Sequence, residues 1–142
     1  MTHAYAEEYL SDAMKNLGEA FDYAVNACSL NPEDFMELFI ASGYAAKFSK
    51  GNPKVVAGLS GTELVMEVID KSGKTMNFPE AQIEYECSPE YWCGWILAYY
   101  QWRTSRSFRD IHDNLSVGEI LKLYPTHHAI IKRKNNSTRL QA

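Results

Sequence analysis

Apolar positions recur along the first part of the chain with the period of a helix. Leu10, Met14, Leu17, Phe21, Ala24 and Cys28 follow one another at alternating spacings of four and three. That spacing puts them on one stripe of a helix running from Glu7 to Cys28. Glu7, Glu8, Asp12, Lys15, Glu19 and Asp22 fall mostly off the stripe, where they can face water. Gly18 costs such a helix about 1 kcal/mol relative to alanine, and a close packing contact is one reason for a glycine there. The stripe lasts only about three heptads, which favours a core-facing helix over a coiled coil.

The next starts are marked by caps. Asn31-Pro32-Glu33-Asp34 combines a capping asparagine, a proline in the first helical position and two acids in the first turn. The helix is expected to run through Phe35, Leu38, Phe39, Ser42 and Ala46, tolerating Gly43 and closing at Gly51. Asn52-Pro53 restarts the chain as a short turn of helix to Ala57. Ser60 and Glu63 have the spacing of a capping box, ahead of a helix that buries Leu64, Val65, Val68 and Ile69 and ends near Lys71-Ser72-Gly73-Lys74. Over 72–87 the pattern weakens. The stretches TMNF and QIEYE alternate like strands, but Pro79 lies between them, so an extended connector or a small hairpin is expected.

From Ser88 to Phe108 the chain is apolar in almost every direction. Ser88-Pro89-Glu90 is a strong helix start. Residues 91–102 hold six aromatics, including all 3 tryptophans of the chain (Trp92, Trp95 and Trp102). A helix apolar on most sides is usually buried on most sides, so the helix Glu90–Trp102 reads as the centre of the fold. Ser107 then caps a short helix with Phe108, Ile111 and His112. Ser116 and Glu119 form a second capping box, before Ile120, Leu121, Leu123 and Tyr124 and a stop at Pro125. The expected fold is all-α: a single-domain bundle, residues 1–131, of five or six helices around the aromatic-rich one. Residues 132–142 are polar and basic and read as a disordered tail.

Length and composition agree with this. The chain has 142 residues, 46% of them apolar, enough for a core without disulfide or metal staples. No apolar run reaches the roughly 20 residues of a membrane span, and the acidic start MTHAYAEEYLSD does not resemble a secretion signal. Three cysteines (Cys28, Cys87 and Cys93) without regular spacing point to free thiols in a reducing cytoplasm.

Charge changes the picture more. The first 102 residues carry 15 acids against 6 bases, whereas residues 103–142 carry 8 bases against 3 acids. The acids read as a solvated surface or as a face that meets a basic partner. The basic end reads as a tail or as a nucleic-acid contact.

No constellation argues for catalysis, no cofactor is implied and no metal set is expected. His112, His127 and His128 with the cysteines lack the spacing of a zinc site. Cys93 lies inside the aromatic helix, where apolar surroundings make a thiol inert. Cys87 precedes a helix N-terminus and is the better nucleophile candidate, though burial is the commoner fate of both. Phosphate loops, HExxH and GxSxG are absent. Residues 107–124 outline two short helices around a turn, as in a helix-turn-helix, with Arg103, Arg106 and Arg109 before the turn and Lys122, Lys132 and Arg133 after it. The second of these helices lacks Arg, Asn and Gln for base reading. Finally, Tyr99, Tyr100 and Trp102 cannot all point inward, and an exposed remainder would mark a partner interface or a homodimer contact.

The run YWCGWILAYYQWRTSRSFRDI (Tyr91 to Ile111), with GNPKVVAGLSGTEL before it, EILKLYPTHH after it and DFMELFIASGYAAKF among the earlier helices, resembles a family of small uncharacterised helical bacterial proteins. The resemblance covers most of residues 5–128. It implies a genetic neighbourhood of toxin–antitoxin-like modules with ADP-ribosyltransferase toxins, and it carries no catalytic residues. The end beyond His128 departs from the family, where an acidic helix would continue.

The expectation is therefore a non-enzymatic, cytoplasmic interaction module: a stoichiometric inhibitor, antitoxin or immunity-like protein that occludes a basic partner such as a toxin or nuclease. Glu7, Glu8, Asp12, Glu33, Asp34 and Glu37 would steer that partner, and Tyr99, Tyr100 and Trp102 would supply the desolvated contact. The alternatives are a DNA-binding regulator using Arg103 to Lys134, and an enzyme with an aromatic pocket.

Overall fold

A computed structural model describes residues 3–81 and 88–124. Among these residues there is no strand, and the chain is an all-α bundle. Its helices are α1 (Leu10–Asp22), α2 (Pro32–Ala41), α3 (Tyr44–Ser49), α4 (Gly61–Lys71), α5 (Pro89–Thr104) and α6 (Phe108–Asn114), with α7 described over 117–124. A 3-10 turn (Glu7–Tyr9) leads into α1, and π-helical turns cover Tyr23–Ala27 and Lys54–Gly58. The hairpin option over 72–87 falls partly on undescribed residues; 74–81 has no regular secondary structure. The tail 132–142, Cys87, His127 and His128 lie outside the described residues.

The caps act as their residue types dictate. Asn31 accepts from the amides of Glu33 and Asp34, and Ser60 and Glu63 bond reciprocally. Ser88 accepts from Tyr91 and Ser107 from Asp110. Ser116 and Glu119 complete a second capping box at the start of α7. One expectation is corrected: the helix from Asn31 does not run through Gly43. Ser42 ends α2, and Gly43 turns the chain at φ +90 before α3 begins. A residue with a side chain is strained in that left-handed conformation, so the glycine punctuates rather than interrupts.

The hub is also corrected. The bundle is organised on α1, whose Ala13, Leu17, Ala20 and Phe21 are fully buried and which packs against both α5 and α4. The contact with α5 is unusually close. A Cβ on Gly94 would come within 2.2 Å of the Leu17 carbonyl oxygen, and one on Gly18 within 2.8 Å of the Tyr91 carbonyl oxygen. Polar bonds pin the end of the seam where α1 finishes and α5 begins. Buried Asp22 accepts from the Ser88 hydroxyl at 2.7 Å and from Asn26 at 2.8 Å, and Asn26 also donates to Glu90. Beyond α1, Phe21, Phe35, Phe39, Phe48 and Phe108 make a chain of stacked and edge-on rings that joins α1, α2, α3 and α6.

Candidate functional site

The close approach of α1 sorts the side chains of α5 by size. Small residues, Cys93, Gly94 and Ala98, are buried together with Leu97, Gln101 and Trp102. The large residues that do not fit are displaced outward: Trp95 is 40% and Tyr100 42% exposed. Trp102, expected at the surface, is instead 4% exposed. Its indole N–H donates to the Tyr5 carbonyl at 2.8 Å and its ring stacks on His3. It anchors the N-terminal residues and is not a partner contact. Tyr99 is half-buried, and its hydroxyl accepts from Arg103 at 3.3 Å. Of the three aromatics expected outside, Tyr100 is the exposed one; Trp95, which the sequence did not single out, joins it.

On the side of α5 away from α1, an apolar groove of about 230 Å³ opens between α5, α6 and α7. One wall is the ridge Trp92, Ile96 and Tyr100 along α5, at the four-residue spacing that keeps side chains on one face. Ile111 and Leu115 come from α6 and the residue after it, and Ile120 and Leu123 come from α7. Leu115 is 39% and Leu123 53% exposed, so the groove's edges stand in water. Isolated exposed leucines are ordinary; here they edge one contiguous apolar trough. Where the ridge ends, Tyr100 is shared with an open polar cleft of about 710 Å³ lined also by His3, Arg103, Thr104 and Arg106.

The two charged surfaces expected from the sequence partly consume one another. Arg109 makes a two-pronged contact to Glu37, at 2.8 and 3.1 Å, and the largely buried His112 imidazole lies 3.4 Å from the same carboxylate. The hydrogen bond from Arg109 holds the Glu37 carboxyl below its usual range and raises the guanidinium in turn. Glu33 accepts from the Gly118 amide at the start of α7, a favourable place for a carboxylate. Arg106 pairs with Asp110 at 3.6 Å. Thus α2 clamps the helix-turn-helix-like segment with the charges assigned to two rival sites. Glu7, Glu8, Asp12 and Asp34 are exposed. Glu7, Glu8 and Asp12 precede or begin α1, and Asp34 lies in the first turn of α2. Lys122 is exposed on α7; Lys132 and Arg133 lie outside the described residues.

The described thiols have no nucleophilic setting. Cys28 and Cys93 are free and buried. Burial pushes the Cys93 thiol up to about 12 and raises Cys28. Among the described residues, no group of three or more His, Cys, Asp or Glu side chains could hold a metal ion, and no helix is long and apolar enough to cross a membrane. Comparison of the chain with protein-family models, with curated proteins and with solved structures returned no match, so no family is assigned and the site is read from its own chemistry.

Proposed function

We propose that this chain is a non-enzymatic protein-interaction module that works by stoichiometric occlusion, as an inhibitor, antitoxin or immunity-like protein does, in a reducing cytoplasm. The observation that carries this reading is the α5–α6–α7 groove, an apolar trough edged by exposed Tyr100, Leu115 and Leu123. An aromatic and aliphatic cleft with a polar margin is the usual centre of a protein interface. The free thiols Cys28 and Cys93 suit a reducing compartment. Within the reading, the groove carries more than the acids do. Glu33 and Glu37 are engaged inside the molecule, which leaves Glu7, Glu8, Asp12 and Asp34 for long-range steering of a basic partner. The same internal pairing weighs against the DNA-binding alternative, because Arg109 already faces the carboxylates of Glu37 and Asp113.

The test is a pull-down from source-cell lysate with the full chain and with Leu123→Ser, with and without nuclease, at low and high salt. The expected result is one protein recovered in stoichiometric amount despite nuclease and salt, and lost with the variant. Recovery of nucleic acid that disappears with salt would replace the reading with the regulator. A protein retained equally by Leu123→Ser would remove the groove from it.

A further inference from the structure

We infer that the segment this groove receives is a short amphipathic helix with an acidic residue about one turn beyond its apolar face; this rests on the interaction reading above and gives its site a partner chemistry. The argument begins with size. A groove of about 230 Å³ with exposed edges is smaller and more open than the pockets that enclose small ligands, which run to roughly 300–1,000 Å³. It matches a few side chains presented from outside along one line. Direction comes next. The α5 ridge places Trp92, Ile96 and Tyr100 in line, and Arg103 continues the same side one turn later. From Trp92 to Arg103 the axis advances about 16 Å, the length of three helical turns. A helix laid against this ridge inserts residues at i, i+3 or i+4, and i+7, and its next turn reaches the polar cleft.

Charge then fixes what that next turn carries. Among the described residues, no carboxylate lies within ion-pair distance of Arg103, whose guanidinium donates only a long bond to the Tyr99 hydroxyl. Arg106 lines the same cleft and shares its charge with Asp110, both about half exposed, so that pair is weak and easily exchanged. The remaining charges of α6, Arg109 and Asp113, are joined to each other and to Glu37. Among the described residues, the cleft beside the apolar ridge is therefore net cationic, through Arg103 first and Arg106 second. A carboxylate beyond the apolar face of the incoming helix would pair with Arg103, whereas a lysine there would be repelled.

The probe is a pair of fluorescein-labelled synthetic helices with the same leucine face. One carries glutamates in the turn after the last leucine and the other carries lysines. Each is titrated into the full chain and read by anisotropy. The acidic helix is expected to bind roughly tenfold more tightly than the basic one at low salt. Arg103→Glu is expected to invert that order, and Leu123→Ser to weaken both helices equally. Circular dichroism checks that both variants stay folded, as their exposed positions lead one to expect. Equal binding of the two helices, with Leu123→Ser still weakening both, overturns the acidic inference and leaves the groove reading standing. Absence of binding by either overturns the inference, and the interaction reading then answers to the pull-down. Binding that emerges only when Ile130 and Ile131 are changed to serine assigns the groove to the chain's own C-terminal residues and also overturns it. So does a dimer of the wild type, seen by sedimentation, that Leu123→Ser dissolves.

Discussion

Two sides of α5 face two kinds of surroundings. Toward α1 the seam is made of Gly94, Cys93 and Ala98 against Gly18 and Leu17, and the backbones nearly touch. Toward α6 and α7 the same helix presents Trp92, Ile96 and Tyr100, and the space is left as a groove. The first side has small residues and a close backbone approach; the second has large residues and an opening. Apolar character is shared by both sides and does not distinguish them. What distinguishes them is how near a neighbouring backbone can come, which the smallest residue at the contact sets. The seam is where α5 contributes to stability, and the groove is where it can contribute to binding.

This contrast can be broken from either side. Gly94→Ala should have the largest effect. Its Cβ would meet the Leu17 carbonyl, which is backbone and cannot rotate away, so α1 and α5 must separate. A loss of about 3 kcal/mol or more is expected, read as a drop in the denaturant midpoint. Next is a pH effect with the same origin. Burial raises Cys93 to about 12 and Tyr23 to about 12, so their neutral forms are the ones the fold accepts. For groups whose folded-state pKa is raised, the stabilisation is complete below the unfolded value and is lost as pH rises through the folded one. Stability should therefore be level at neutral pH and fall between about pH 9 and 12. Cys93→Ala should remove the part of the decline that begins near 9.

On the open side, Leu123→Ser or Leu115→Ser should shift stability by no more than about 0.5 kcal/mol, while abolishing partner binding. A large loss of stability there would mean that the groove is core and not a site. The smallest effect is expected at the clamp. Glu37→Gln removes an exposed ion pair with Arg109, and thermal melts at neutral pH should barely change. Because the Glu37 carboxyl is held low, what stability the pair supplies is present above the usual carboxylate range and lost as pH falls through the folded value. Wild type and Glu37→Gln should therefore converge in acid.

Much of the architecture was legible in the chain because it depends on short-range chemistry. Ser60 with Glu63, Asn31 with Pro32, Ser88, Ser107 and Ser116 with Glu119 each fix a helix start through bonds spanning a few residues. The stripe Leu17, Phe21, Ala24 and Cys28 is buried as its spacing requires. Gly43 was misplaced because a glycine within an apolar pattern carries no mark of its φ. The site was legible only in part. Tyr100 was named, Trp92, Ile96 and Leu123 were not, and Trp102 is buried where an exposed contact was expected. Glu37 and Arg109 are 72 residues apart, so nothing local shows that they neutralise each other.

The sequence by itself determined that this protein is helical, where most of its helices begin, and that residues 91–102 hold more aromatic surface than one face can bury, because caps and periodicity act within a few residues. Only the tertiary structure decided which of those aromatics remain outside. That choice follows from the approach of Gly94 to Leu17, a contact between residues distant in the chain, whose closeness sets where bulk must go.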